Sequence, residues 1–130
     1  MLLDEIQRAM SDLRPTADGT TAATFVFPAD FTGFQGHFPG QPVLPGVCLV
    51  QAVLALLGRS NCRPVLLREI VVAKFFSAVG PGDTVRVVCR ESPAGASEQL
   101  VKAAVTCGDR KVAELSLRVA GERGEAERLL

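Results

Sequence analysis

No tryptophan and no tyrosine occur in this chain, and it holds a single histidine. Seven phenylalanines are its only aromatics, so it has little from which to build a base-stacking surface for nucleic acid. It also lacks an excess of either charge. Fourteen basic and fourteen acidic side chains cancel, and no global field draws it to nucleic acid or to an anionic membrane surface. No apolar run reaches the roughly 18 residues that a spanning helix needs. Neither nucleic acid nor membrane is therefore expected as a partner. The four cysteines, Cys48, Cys62, Cys89 and Cys107, form no C-x-x-C pair, and with one histidine they make no good zinc set. Reduced thiols packed in the core of a cytoplasmic protein are expected instead. Met1–Arg14 carries acids early and has no continuous apolar region, so it does not read as a signal peptide.

What is present fits one domain spanning residues 1–130. Leu2, Leu3, Ile6, Met10 and Leu13 recur at near-helical spacing, which predicts an amphipathic helix over 2–13, ended before Pro15. Ala22–Pro28 alternates as a strand. Residues 29–45 form a long loop rich in glycine and proline, and loops of that length in compact domains tend to carry function. Gly46–Leu57 is apolar except for Gln51 and predicts a buried helix, with Gly58 as its stop. The rest is β: an extended run Val65–Val79, then strands Thr84–Glu91, Glu98–Cys107 and Lys111–Ala120, the last two joined by a Gly108-Asp109 hairpin turn. Alternation of polar and apolar residues makes the sheet antiparallel with one face in water. The tail 121–130 is charged. A helix apolar nearly all round needs cover on most sides. An α+β architecture follows, with a curved antiparallel sheet wrapped around a central buried helix and further cover from a partner subunit.

The loop holds the chemistry. His37, the one histidine, sits in Gly36-His37-Phe38-Pro39-Gly40-Gln41-Pro42-Val43-Leu44-Pro45-Gly46-Val47, stiffened by three prolines and running into the buried helix. An imidazole titrates near neutrality and suits proton transfer. A lone loop histidine also has a plain structural reading. Gln51 reads equally as a core amide with a partner, and Gly46 as a mere helix-start glycine.

The string His37-Phe38-Pro39-Gly40-x-Pro42-x-x-Pro45-Gly46-Val47 resembles the signature loop of the 3-hydroxyacyl-acyl-carrier-protein dehydratases, the FabZ- and FabA-like family. Phe34-x-Gly36 before it, then Ala73-Lys74-Phe75, Pro81-Gly82-Asp83 and Val112-Ala113-Glu114, fall in the family's order, so the likeness covers roughly residues 20–120. The resemblance implies a hotdog fold. It implies His37 as catalytic base, Gly46 as the glycine whose backbone N–H holds the thioester carbonyl, and Gln51 at the position of the family's acid. In that family the histidine of one chain works with the acid of the other, across a dimer. The sequence departs from the family at that acid, which bears on catalysis rather than on fold.

The reading is a dehydratase-like enzyme acting on 3-hydroxyacyl thioesters of an acyl carrier protein or of CoA, without metal or nucleotide cofactor. A narrow apolar tunnel at the dimer interface is expected, lined by Phe34, Phe38, Val43, Leu44 and Val47. The assembly expected is a homodimer or higher oligomer, with a heterodimer as the variant. Two other readings stand beside it: a non-catalytic acyl-thioester-binding subunit that partners an active dehydratase, and a hotdog thioesterase. The absence of an acid at position 51 weakens the thioesterase, because its attacking water needs activation.

Overall fold

The computed structural model describes residues 2–35 and 40–121. The chain opens with α1 (Leu2–Ala9), whose acids Asp4 and Glu5 lie in the first turn and Arg8 in the last, as the helix dipole favours. It then enters β1 (Met10–Pro15) directly. The helix expected over 2–13 is thus corrected to eight residues followed by a strand. Met10 and Ser11 pair with Phe25 and Thr24 of β2 (Thr21–Val26), and Asp12 has a φ of 53°, which no helix continues through. Met10 and Leu13 still pack against the core, but from the strand.

A short 3-10 turn over Thr32–Phe34 and the glycine-proline loop lead into α2 (Gly46–Ser60). The helix runs through Gly58, the expected stop, and is capped at Asn61, whose N–H donates to Leu57 O at 2.8 Å. Cys62 at φ 58° and Pro64 turn the chain out of it. Four strands follow: β3 (Val65–Phe75), β4 (Thr84–Pro93), β5 (Glu98–Cys107) and β6 (Arg110–Gly121). All pairings are antiparallel, and the sheet order is β1-β2-β4-β5-β6-β3. The β5–β6 hairpin forms where expected, with Cys107 opposite Arg110 and Gly108 at φ 60°.

Alternation decides the sheet's faces. Val85, Val87 and Cys89 of β4, Val101, Ala103 and Val105 of β5, and Leu115, Leu117 and Val119 of β6 are buried together with α2, while Arg86, Arg90 and Lys102 face outward. Phe25, Phe27, Phe31 and Phe34 join this core as a chain of ring contacts 4.8 to 6.0 Å between centroids. Strand β3 departs from the rule. Leu66, Leu67, Ile70, Val71, Val72 and Phe75 are all exposed, on both faces of an edge strand. The cysteines divide: Cys48 and Cys89 are buried and Cys107 partly so, whereas Cys62, expected in the core, is exposed. All four are free thiols. Burial, aided by Glu91, pushes the Cys89 thiol up to about 12, so it behaves as a small hydrophobe. Among the described residues no helix is long and apolar enough to cross a membrane. The tail residues 122–130 lie outside the described residues.

Candidate active site

Both flanks of the histidine loop are anchored in the core. On the near side Phe34 is buried, edge-on to Phe31 at 5.7 Å. Gly33 lets the turn press onto α2: a Cβ there would come within 2.4 Å of Phe31 Cε2 and 3.0 Å of Cys48 Sγ. On the far side Leu44 is buried and its N–H donates to Val79 O at 2.8 Å. His37 and Phe38, predicted as base and lining residue, lie outside the described residues. Of the other expected lining residues, Phe34 and Leu44 belong to the core cluster, Val43 is half-buried, and Val47 is 60% exposed.

The start of α2 is open. Pro45 is the N-cap and has no capping side chain, and the N–H groups of Gly46 and Val47 find no acceptor among the described residues. These donors carry the positive end of a 15-residue helix. Beside them sits Phe75, from the end of β3. A Cβ on Gly46 would lie 2.7 Å from Phe75 Cζ and 2.9 Å from Cε1, so no side chain fits unless the ring moves. The ring against it is thus one structural reason for Gly46 to be glycine. Local sequence does not pair Gly46 with Phe75, although Ala73-Lys74-Phe75 is among the residues that carry the family resemblance. Nothing in the sequence connects positions 29 residues apart until the strand is docked on the helix.

Burial along α2 follows a helical stripe. Val47 is exposed, and Gln51, Leu54 and Gly58 are half-buried, while Cys48 to Val50, Ala52, Val53 and Ala55 to Leu57 are covered. Positions 47, 51, 54 and 58 fall on one face at the 3.6 period. This is the face that the chain's own sheet leaves uncovered. Gln51 therefore looks out of the subunit, and its amide has no hydrogen-bond partner among the described residues. An amide can donate and accept hydrogen bonds, but it does not exchange a proton near neutral pH. Cys48, two residues into the helix, offers no nucleophile either, since burial pushes its thiol up and keeps it protonated. No group of three metal-ligating side chains occurs among the described residues.

Comparison with known proteins places this geometry. The model of the ApeI-like family, described as ApeI dehydratase, matches residues 14–115. A 3-hydroxyacyl-[acyl-carrier-protein] dehydratase FabZ of Caulobacter sp. (strain K31) is 32% identical over 90 residues, covering 62% of this chain and 55% of that protein. The FabZ of Rickettsia massiliae (strain Mtu5) is 42% identical over 62 residues, 42% of this chain and 43% of that protein. The chain thus spans about half the length of the curated relatives it matches. Among solved structures, the dehydratase heterocomplex ApeI:P from Xenorhabdus doucetiae superposes with a TM-score of 0.73 at 19% identity, covering 85% of this chain and 96% of that one. The E. coli PaaI protein of the phenylacetic acid degradation operon gives 0.66 at 16%, over 91% and 88%. With a family match across most of its length and a hotdog sheet around α2, the chain belongs to the ApeI-like dehydratases, within the FabZ- and FabA-like family.

Proposed function

We propose that this protein is a dehydratase-like subunit that removes water from a 3-hydroxyacyl thioester carried by an acyl carrier protein or CoA. The observation that carries the reading is the uncovered stripe of α2, which joins the free Gly46 N–H to the unpartnered Gln51 amide. A thioester carbonyl at the helix start accepts a hydrogen bond from Gly46, and the helix dipole stabilises the enolate oxygen as it forms. His37 takes the proton from the carbon next to the carbonyl. The bond from C3 to oxygen then breaks, and hydroxide leaves with one proton as water. With an amide at position 51, that proton comes from His37 itself, so the imidazole ends the cycle as it began. Gln51 orients the leaving hydroxyl by hydrogen bonding.

The β3 edge is the dimer surface in this reading, and the tunnel between subunits takes the acyl chain. The partner subunit brings its own α2 stripe to this chain's His37. A second form of the reading is favoured by Gln51 and by the heterocomplex among the structural neighbours. In a heterodimer whose other subunit carries an acid at the matching position, this chain's His37 meets that acid and one complete site results. The homodimer has only histidine–amide sites.

The test is turnover of a 3-hydroxyacyl thioester by the purified protein, followed as enoyl thioester formed and thiol released. Enoyl product that disappears in His37→Ala supports the reading. Thiol release without enoyl product replaces it with the thioesterase. Acyl-thioester binding without any turnover leaves the binding subunit.

A further inference from the structure

The outer face of the sheet, opposite α2, carries a cleft of about 500 Å³ that the active-site reading does not use. Its floor is made of short apolar side chains, Val72, Val88 and Ala104, one from each of β3, β4 and β5. Around it stand Lys74, Arg90 and Lys102. Arg90 and Lys102 are directly opposite each other in the β4–β5 ladder, a like-charge pair that costs a sheet stability. Two carboxylates stand with these cations: Asp18 lies 3.6 Å from Arg90, and Glu114, itself in the lining and opposite Lys74, pairs with Lys111 at 3.5 Å, so the lining keeps three cations against one acid. Lys74 and Lys102 have no ion pair among the described residues. A chain with zero net charge thus concentrates cations around one apolar hollow.

We infer that this cleft binds an organic phosphate, its phosphate between Lys74, Lys102 and Arg90 and its carbon chain on the Val72–Val88–Ala104 floor. Ammonium and guanidinium groups only donate, and a phosphate offers three acceptor oxygens and close to two negative charges. The Ser116 hydroxyl, also in the wall, adds a neutral donor. The other hydroxyl at the rim, Thr20, is already bonded to Asp18 at 2.8 Å. A second copy pressing the same face here is disfavoured, because it would set cations against cations. The inference does not depend on the dehydratase reading.

The experiment titrates the folded protein with inorganic phosphate, butyl phosphate and butanol at low ionic strength, read by amide chemical shifts. Butyl phosphate is expected to bind about fourfold tighter than inorganic phosphate for each methylene that reaches the floor, with butanol silent. Lys102→Ala is expected to weaken binding about tenfold. It should also raise Tm slightly, since it removes the repulsion with Arg90. Arg86→Ala removes an outward cation of β4 outside the cleft and should change binding less than twofold, within ordinary surface screening. No response to millimolar butyl phosphate, equal losses in Arg86→Ala and Lys102→Ala, or a fall in Tm with the loss of binding would each overturn the inference.

Discussion

The two edges of the sheet are built to opposite ends. Strand β1 is six residues long, its register slips between Ser11 and Arg14, and it finishes at Pro15. Only Met10 is buried along it, and Asp12 and Arg14 put charge on the rim. Short length, a bulge, charge and proline are the features by which a sheet refuses another strand. Strand β3 is eleven residues long and apolar on both faces, with Ile70 47% and Phe75 51% exposed. Two of its three charged residues are tied inward, Arg68 to Glu98 at 3.9 Å and Glu69 to Arg118. An edge like that, left open, is an aggregation hazard. The fold closes one side to further pairing and leaves the other open. The uncovered stripe of α2 shows the same incompleteness. In the proposed function, that stripe is what would let a site be shared between subunits.

The largest expected effect comes from spoiling the open edge. Ile70→Lys places a charge in both copies of a β3–β3 contact. Losing a buried isoleucine twice should weaken association about 10²–10⁴-fold. Arg14→Ala on the closed edge should leave the assembly unchanged. Sedimentation across a micromolar dilution series measures both. A parent that is already monomeric, or an Ile70→Lys protein that associates as tightly as the parent, removes β3 as the interface.

Next comes the point where β3 touches the helix. Gly46→Ala sets a methyl against the Phe75 ring, and overpacking of this kind costs about 1–3 kcal/mol. Because Phe75 is half-exposed, we expect the low end of that range. If the Gly46 N–H holds the substrate carbonyl, turnover should fall by more than stability does, about 10²–10³-fold. Adding Phe75→Leu should restore stability and leave turnover low. Recovery of both together would mean that the glycine serves the ring alone.

The third effect is at Gln51. A carboxyl there restores proton-transfer capacity, and Gln51→Glu should raise enoyl formation by about 10²-fold where the amide is the only defect. Half-burial on the uncovered stripe keeps desolvation of the new acid modest until a partner covers it. A folded Gln51→Glu protein with no gain over an inactive parent would count against a latent dehydratase.

Much of this was legible in the sequence. Strands β4, β5 and β6 alternate cleanly because one face packs on α2 and the other meets water, so period and burial agree. The apolar run from Gly46 named the central helix, and its one amide fell on the uncovered face. The opening segment misled because Leu13 continues a helical spacing, yet the ladder with β2 competed for the same backbone and won after Ala9. Gly58 misled for a similar reason. A glycine permits a stop, but the helix bonds continue when the chain beyond packs close, and the Arg63 N–H donates to Gly58 O at 3.1 Å. The Gly46–Phe75 contact and the outer cleft are tertiary. They join residues whose nearness depends on strand order, which local pattern does not encode.

The smallest effect belongs to the closed edge and concerns how β1 is held to β2. The turn between them is tied by Asp18, which accepts from the Thr16 hydroxyl, from the Thr20 hydroxyl at 2.8 Å and from the Thr20 N–H. These donors hold its carboxyl at about 2, below the ordinary 3.8. A depressed carboxyl stabilises the fold only while it is ionised. Its contribution is full above pH 4 and is lost as pH falls from there toward 2. Asp18→Asn should therefore lower Tm slightly at pH 7, and the difference from the parent should close by pH 2. The side chain is exposed, so the shift should shrink in high salt. Amide exchange in β1 should quicken over the same pH window, while β3, at the other edge, should not respond. A Tm difference that persists unchanged at pH 2 would mean that Asp18 acts through its shape in the turn rather than through its charge.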